Sequence, residues 1–182
     1  MPCMPVSAGS HRLGPHNATL SVHTTRRGAA AKAGHDLLIH VTSWEGSLEV
    51  GDDGQVTSVQ LDADATSLRV QEGTGGIKAL GEDDKASIDQ TIDEEVLERR
   101  DISFRSTGIE HASGDSRVAV EGDLTLAGTT APVAFELMVG DDGTLSATAV
   151  VTQTTWGMKP YTGLFGALKV HDDVKVVIDG HL

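Results

Sequence analysis

Residues 133–151 read VAFELMVGDDGTLSATAVV and contain the clearest alternation of apolar and polar positions in the chain. Apolar side chains occupy every second position on both sides of the segment 140–143. This period is typical of a β-strand that buries one face, and an Asp-Gly turn between two such runs predicts an antiparallel hairpin. The stretch therefore predicts two neighbouring strands, 133–139 and 145–151.

Other runs with the same period recur along most of the chain. The segment 35–50 is long for one strand, and its apolar positions change parity near Thr42 and Ser43. Because a strand cannot change its buried face without an extra residue, we expect a bulge or sharp bend there. Bent strands allow an antiparallel sheet to close on itself. The remaining runs cover residues 20–22, 59–61, 102–104, 118–126 and 174–178.

One segment departs from the β pattern. Ile88, Ile92 and Val96 repeat every four residues, acidic residues precede them, and two arginines end the segment. Such a stripe, with acids first and bases last, is typical of an amphipathic helix. We predict one helix over 81–100, covering or plugging the interior, and a flexible loop over 71–76.

Together these patterns predict an all-β fold with one inserted helix. We count about eight strands, which is enough for an eight-stranded antiparallel barrel with room inside for side chains or one small ligand. The length of 182 residues fits one domain.

Composition excludes several classes of protein. The chain carries 14 basic and 27 acidic side chains, a net charge of −13, so it would repel a phosphate backbone and nucleic-acid binding is not expected. Its single cysteine, Cys3, permits no intramolecular disulfide. No apolar run is long enough to cross a bilayer, and the first 20 residues lack a secretory-signal pattern. We expect a cytoplasmic protein without a membrane span or a cofactor.

Three stretches resemble motifs of one known family. Residues 43–49, SWEGSLE, are similar to its aromatic-x-Gly-x-Ile/Leu-x strand, and residues 100–107, RDISFRST, to its P-x-I-x-F-x-S-T strand. Residues 122–133, GDLTLAGTTAPV, resemble the more specific G-D-L-T-I-x-G-x-T-K-P-V. Residues 156–158, WGM, stand where the family often has Phe-Gly-Ile. On these motifs the chain resembles the YceI-like family.

This resemblance implies an extended, lipocalin-like barrel that binds a long isoprenoid or another apolar chain. The barrel domain would span residues 10–182, and residues 1–9 are expected to be disordered. Homodimers are common among such barrels, and exposed edge strands offer one route to pairing.

The barrel interior is predicted to be apolar. Its small inward residues, such as Ala63 and Ala147, could leave a cavity in which each buried methylene of a ligand contributes about 0.8 kcal/mol. Equally, side chains from opposite walls could fill the interior. The predicted lumen residues are Leu20, Val22, Ile39, Trp44, Leu61, Phe104, Val120, Phe135, Leu137, Ala147, Ala149, Trp156, Phe165 and Val176.

The loop 155–166 contains Trp156, Tyr161 and Phe165 between glycines. These rings could form an apolar portal or a plug at one end of the barrel, and the sequence leaves both open. Four basic residues are candidates for a ligand's head group at the barrel mouth: Arg69, Lys78, Lys85 and His35.

Histidines raise two further possibilities. His23, His35 and His40 lie in one region, but their spacing matches no zinc pattern, so no metal is expected. His35 beside Asp36 could pair a base with an acid, although neighbours in a strand point to opposite faces.

Two classes of function follow. The first is a non-enzymatic carrier that sequesters an isoprenoid, quinone-like or fatty chain in the lumen. The second is a barrel enzyme that acts on an apolar substrate with His35 or Asp36 as acid or base. A structural or partner-binding barrel with a filled lumen is a third option.

Overall fold

The computed structural model describes residues 6–112, 116–163, 166 and 168–182. Within this part of the chain, strands dominate and one α-helix, α1, spans Glu82–Thr91. The strands are β1 (Gly9–Leu13), β2 (Ala18–Thr24), β3 (Arg26–Arg27), β4 (Asp36–Val41), β5 (Trp44–Val50), β6 (Val56–Ala63), β7 (Leu68–Thr74), β8 (Ile102–His111), β9 (Arg117–Leu126), β10 (Thr129–Val139), β11 (Thr144–Thr152), β12 (Thr162–Gly163), β13 (Leu168–Val170) and β14 (Asp173–His181).

The main sheet is antiparallel and curls into a half-barrel. Its strand order is β1-β5-β6-β8-β9-β10-β11-β14-β2-β4-β7. The hairpin predicted over 133–151 lies within this sheet, where Leu137 of β10 pairs with Ala147 of β11. The prediction of a mostly-β fold with one helix is confirmed.

The predicted strand count is wrong, because the described part of the main sheet contains eleven strands and not eight. Three long runs are interrupted: β1 and β2 are separated by residues 14–17, β4 and β5 by 42–43, and β6 and β7 by 64–67.

Two of these interruptions hold each other in place. The N–H of Thr42 donates to the Ser67 carbonyl, and the N–H of Asp64 donates to the Ser43 carbonyl, both at 3.0 Å. The break at Thr42 and Ser43 lies where the parity change predicts it. One long hairpin therefore bends at both strands together, so that β5 pairs with β6 before the bend and β4 pairs with β7 beyond it.

The prediction of a flexible loop over 71–76 is wrong for residues 71–74, because these residues belong to β7. Glu72, Gly73 and Thr74 pair with β4 across a long sequence separation. A second, three-stranded sheet joins β12, β13 and β3. Strands of two or three residues are too short to show a period of two in the sequence.

The helix is shorter than the predicted 81–100. The backbone N–H of Gly81 donates to Asp84 Oδ2 at 3.0 Å, which satisfies one free donor at the start of α1. A π-helical turn, Ile92–Val96, follows α1, and the N–H of Leu97 donates to the Ile92 carbonyl. Glu98 and Arg99 then adopt positive φ angles of 53° and 54°, which end the helical segment. Among the described residues, no helix has the length and apolarity needed to cross a membrane.

The hydrophobic core lies on the concave side of the sheet. Leu48 and Val120 are its most deeply buried large side chains, each 1% exposed. The rings of Phe104 and Phe135 meet at a centroid distance of 5.5 Å with a tilt of 55°. This tilted arrangement is one that aromatic pairs favour.

Candidate ligand-binding cavity

The half-barrel contains a partly open cavity of about 570 Å³. Its volume lies within the range of about 300–1,000 Å³ that is typical of ligand pockets. Successive side chains along a strand point to opposite faces of the sheet, so every second residue of each wall strand faces inward. On β11 these inward residues include Ala147 and Ala149, whose small side chains leave space. The cavity is thus present where the sequence left open a choice between a hollow and a filled interior.

Most of the predicted lumen residues lie on the cavity wall. Whether they bind a ligand remains a prediction. Those on the wall are Leu20, Val22, Ile39, Trp44, Leu61, Phe104, Phe135, Leu137, Ala147, Ala149 and Val176.

The helical segment covers part of this cavity. Ile88, Ile92 and Val96, the apolar stripe of the sequence, all line it. Asp89 Oδ1 accepts a hydrogen bond of 2.8 Å from the backbone N–H of Val70 in β7. Because β7 is an edge strand, this contact also satisfies a donor that would otherwise lack a partner in the sheet. The segment is therefore a lid attached to the edge of the sheet.

Val120 and Trp156 do not line the cavity. Val120 pairs with Phe135 across β9 and β10 and is enclosed in the solid part of the core. Trp156 lies in a short 3₁₀ turn and is 3% exposed, and its Nε1–H donates to the Leu124 carbonyl at 2.7 Å. Trp156 thus packs as a structural anchor, whereas Met158 and Tyr161 from the same loop reach the cavity. Phe165 lies outside the described residues.

Three of the four predicted head-group residues lie away from the cavity wall. The Arg69 guanidinium donates to the carbonyls of Thr66 and Leu68, and Lys85 Nζ lies 3.2 Å from Glu82 Oε1. Lys78 is exposed and contributes its carbonyl, which lies 2.6 Å from His35 Nε2. His35 itself lines the cavity.

Two cations on the cavity wall were not predicted from the sequence. Arg26 and Lys169 both line the cavity and are half-buried. Arg26 belongs to β3, and so does Arg27, the residue opposite Lys169. Because β3 has only two residues, no periodicity in the sequence indicates which way their side chains face. The register pairs Arg26 with Val170 and Lys169 with Arg27, so the pairing of β3 with β13, which are far apart in sequence, brings both cations to the wall. Local signals could not have found this pair.

His35 and Asp36 have different partners. His35 Nε2 contacts the Lys78 carbonyl, while Asp36 Oδ1 accepts a 2.8 Å hydrogen bond from the backbone N–H of Arg26. The Arg26 Nε lies 4.0 Å from the same oxygen. The two side chains therefore do not form a base–acid pair. Across the described residues, no three His, Cys, Asp or Glu side chains group in a way that could hold a metal ion.

Two polar atoms on the cavity wall are buried without a hydrogen-bond partner among the described residues. They are Thr24 Oγ1, at the end of β2, and Trp44 Nε1, at the start of β5. Buried polar groups in native proteins almost always have a partner. These two atoms are therefore unsatisfied polar positions beneath the surface of the cavity wall.

A curled antiparallel sheet with a helical lid over an internal apolar cavity defines the general class of barrel-like β-proteins with an interior site. The sequence model of the YceI-like domain matches residues 15–182, so the chain belongs to the YceI-like family.

Solved structures show the same fold. The crystal structure of Burkholderia cenocepacia BcnA is similar at a TM-score of 0.62 and 17% identity, covering 89% of this chain and 94% of that one. The Campylobacter jejuni YceI protein is similar at a TM-score of 0.57 and 11% identity, covering 79% of this chain and 82% of that one. No curated protein matches this chain.

Proposed function

We propose that this protein is a non-enzymatic carrier that sequesters the hydrocarbon part of an isoprenoid or acyl-chain ligand in the cavity. The observation that supports this function is the apolar wall around about 570 Å³ of space. Membership of the YceI-like family supports it as well, since the family resemblance implies binding of a long apolar chain.

The hydrophobic effect supplies the affinity in this proposal. Each methylene moved from water to an apolar wall contributes about 0.8 kcal/mol, so a chain of several methylenes can offset the cost of association. The wall from β10 and β11 offers Leu, Ala and Phe side chains and makes no specific demand on chain chemistry. A carrier of this kind tolerates different chains of similar width.

The lid defines the proposed route of entry. The helical segment contributes Ile88 and Ile92 to the wall, and none of its residues is fully buried. At the sheet edge, the Val70 N–H donates to Asp89 Oδ1 of this segment. We infer that displacement of α1 from β7 widens the opening and admits the chain, because it breaks no strand pair.

The test is mass spectrometry of the organic extract of purified full-length protein. We expect a co-purified acyl or prenyl species, and we expect Ala149→Phe to lack it because the ring would occupy the cavity. Thr148→Phe is the matched control, since Thr148 is the exposed neighbour of Ala149 on the same strand. The absence of any lipid, together with no binding of added dodecanol to the wild-type protein, would overturn the proposal.

A further inference from the structure

The charged residues on the cavity wall all have the same sign. Among the described residues, the wall contains Arg26, Lys169 and the titratable His35, but no Asp or Glu. This contrasts with the whole chain, in which 27 acidic side chains outnumber 14 basic ones. A cavity adapted only to neutral hydrocarbon has no need of cations on its wall, because burying part of a charge costs free energy.

The three side chains and Thr24 lie at one end of the cavity, which we call the cationic end. Arg26 follows Thr24 by two residues, and the register places Val170 opposite Arg26 and Lys169 opposite Arg27. Leu168 lies directly against Gly34, next to His35. The pairing of β3 with β13 therefore assembles the cationic end from three separate parts of the chain.

The two cations of this end, Arg26 and Lys169, differ in the number of hydrogen-bond and ion-pair partners that they have within the protein. The Arg26 guanidinium donates to the carbonyls of Gly34 and Thr74 and neighbours the Asp36 carboxylate. The Lys169 ammonium, in contrast, has no hydrogen-bond or ion-pair partner within the described residues. Arg26 thus compensates the charge of Asp36, whereas no acidic group in the described part of the chain forms an ion pair with Lys169.

Thr24 provides an independent second observation. Its Oγ1 is buried on the cavity wall and has no hydrogen-bond partner among the described residues. A hydroxyl can donate one hydrogen bond to an anionic oxygen, and a half-buried ammonium forms charge-assisted bonds that are stronger than neutral ones. An anionic group at this end would give the Lys169 ammonium a partner, and a rotation of the Thr24 side chain would let its hydroxyl donate to the same group.

We propose that the cavity selects apolar chains that end in one anionic group, a carboxylate or a phosphate, and that Lys169 and Thr24 bind this group. This inference rests on the proposed function, because the chain must occupy the cavity for its head group to reach the cationic end. It adds a preference that a purely hydrophobic cavity lacks.

The test compares dissociation constants of the full-length protein for two matched ligand pairs. One pair is dodecanoate and dodecanol, and the other is farnesyl phosphate and farnesol. Each pair has the same chain and differs in its head group. We expect the anionic member to bind about tenfold more tightly, corresponding to one charge-assisted contact.

The outcomes separate the two proposals. A preference in the first pair alone identifies a carboxylate, a preference in the second alone identifies a phosphate, and each supports the inference. Equal binding within both pairs overturns the inference and leaves the carrier function intact. If no member of either pair binds, the proposed function fails and the inference fails with it.

Variants assign the preference to residues. Lys169→Met keeps the length of the side chain and should abolish most of the tenfold preference, while Thr24→Val should reduce it by roughly two- to fivefold. Lys175→Met is the control, because Lys175 is exposed on β14 and does not line the cavity. An unchanged preference in Lys169→Met, or an equal loss in Lys175→Met, would contradict the assignment.

Discussion

Along β10 and β11 the cavity wall consists of side chains such as Phe135, Leu137 and Ala147, whereas its cationic end contains Thr24 and Lys169. The wall side chains pack against the core and one another, and their burial stabilises the fold. Within the described residues, Thr24 Oγ1 and the Lys169 ammonium of the cationic end have no partner, so these two groups contribute little to folding. The difference indicates that stability resides in the wall and ligand selectivity in the cationic end.

The largest effect expected from this comparison is a loss of stability at the wall. Phe104→Ala removes a ring that is 6% exposed and contacts Phe135, so the free energy of unfolding should fall by about 3–5 kcal/mol. Urea denaturation measures this change. Lys169→Met provides the contrast and should change the same quantity by less than about 0.5 kcal/mol. Similar losses in both variants would remove the distinction between the two regions.

The lid has an apolar face like that of the wall, but a polar contact attaches it to the sheet. Asp89→Ala removes the acceptor of the Val70 N–H, and we expect a loss of about 1.5–3 kcal/mol in the free energy of unfolding. Hydrogen exchange at the Val70 amide should accelerate as well. Glu95→Ala serves as the control, because Glu95 is exposed in the same helical segment. Unchanged exchange at Val70 would show that the lid is attached by other contacts.

The two tryptophans sharpen the comparison between partnered and unpartnered polar atoms. Trp156 Nε1 donates to Leu124, whereas Trp44 Nε1 has no partner among the described residues. Both are nearly fully buried, so replacement by Phe deletes similar volume at each site. Trp156→Phe should therefore cost about 1 kcal/mol more than Trp44→Phe in urea denaturation. Equal costs would mean that the Leu124 contact contributes nothing.

The smallest effect expected on stability comes from two turn carboxylates, Asp172 and Asp64, which lie outside the cavity wall and the cationic end. Hydrogen bonds from the side chain and backbone N–H of Thr154 hold the pKa of Asp172 below its ordinary value of 3.8, and those from Thr66 do the same for Asp64. Because these pKa values are lower in the folded state, the stability they contribute is full above about pH 4 and is lost as the pH falls through the folded pKa.

The measurement is the urea midpoint between pH 5 and pH 2. It should decrease with falling pH in the wild-type protein and decrease less in Asp172→Asn, because that side chain no longer titrates. A steeper decrease in Asp172→Asn than in the wild type would contradict the expected sign.

The sequence predicted the wall well because each wall strand buries one face. Leu137 and Ala147 follow a strict period of two, and their cross-strand pairing lies close to the turn that joins their strands. The bend at Thr42 was also predictable, since a change of parity leaves a local trace.

The cationic end could not be predicted in the same way. Lys169 reaches the cavity through the pairing of β13 with β3, and neither strand is long enough to show periodicity. The strand residues Gly73 and Thr74 have turn-like composition, and their extended conformation depends on pairing with distant β4. Sequence patterns report local periodicity, whereas these features depend on long-range pairing.

Quenching of tryptophan fluorescence by a dibrominated octadecanoic acid tests occupation of the cavity most directly. Trp44 lines the cavity and Trp156 does not, and the chain has no other tryptophan. We predict strong, saturable quenching in Trp156→Phe, where Trp44 alone emits, and little quenching in Trp44→Phe. Absence of quenching in Trp156→Phe, or equal quenching in both variants, would contradict a chain bound inside the half-barrel.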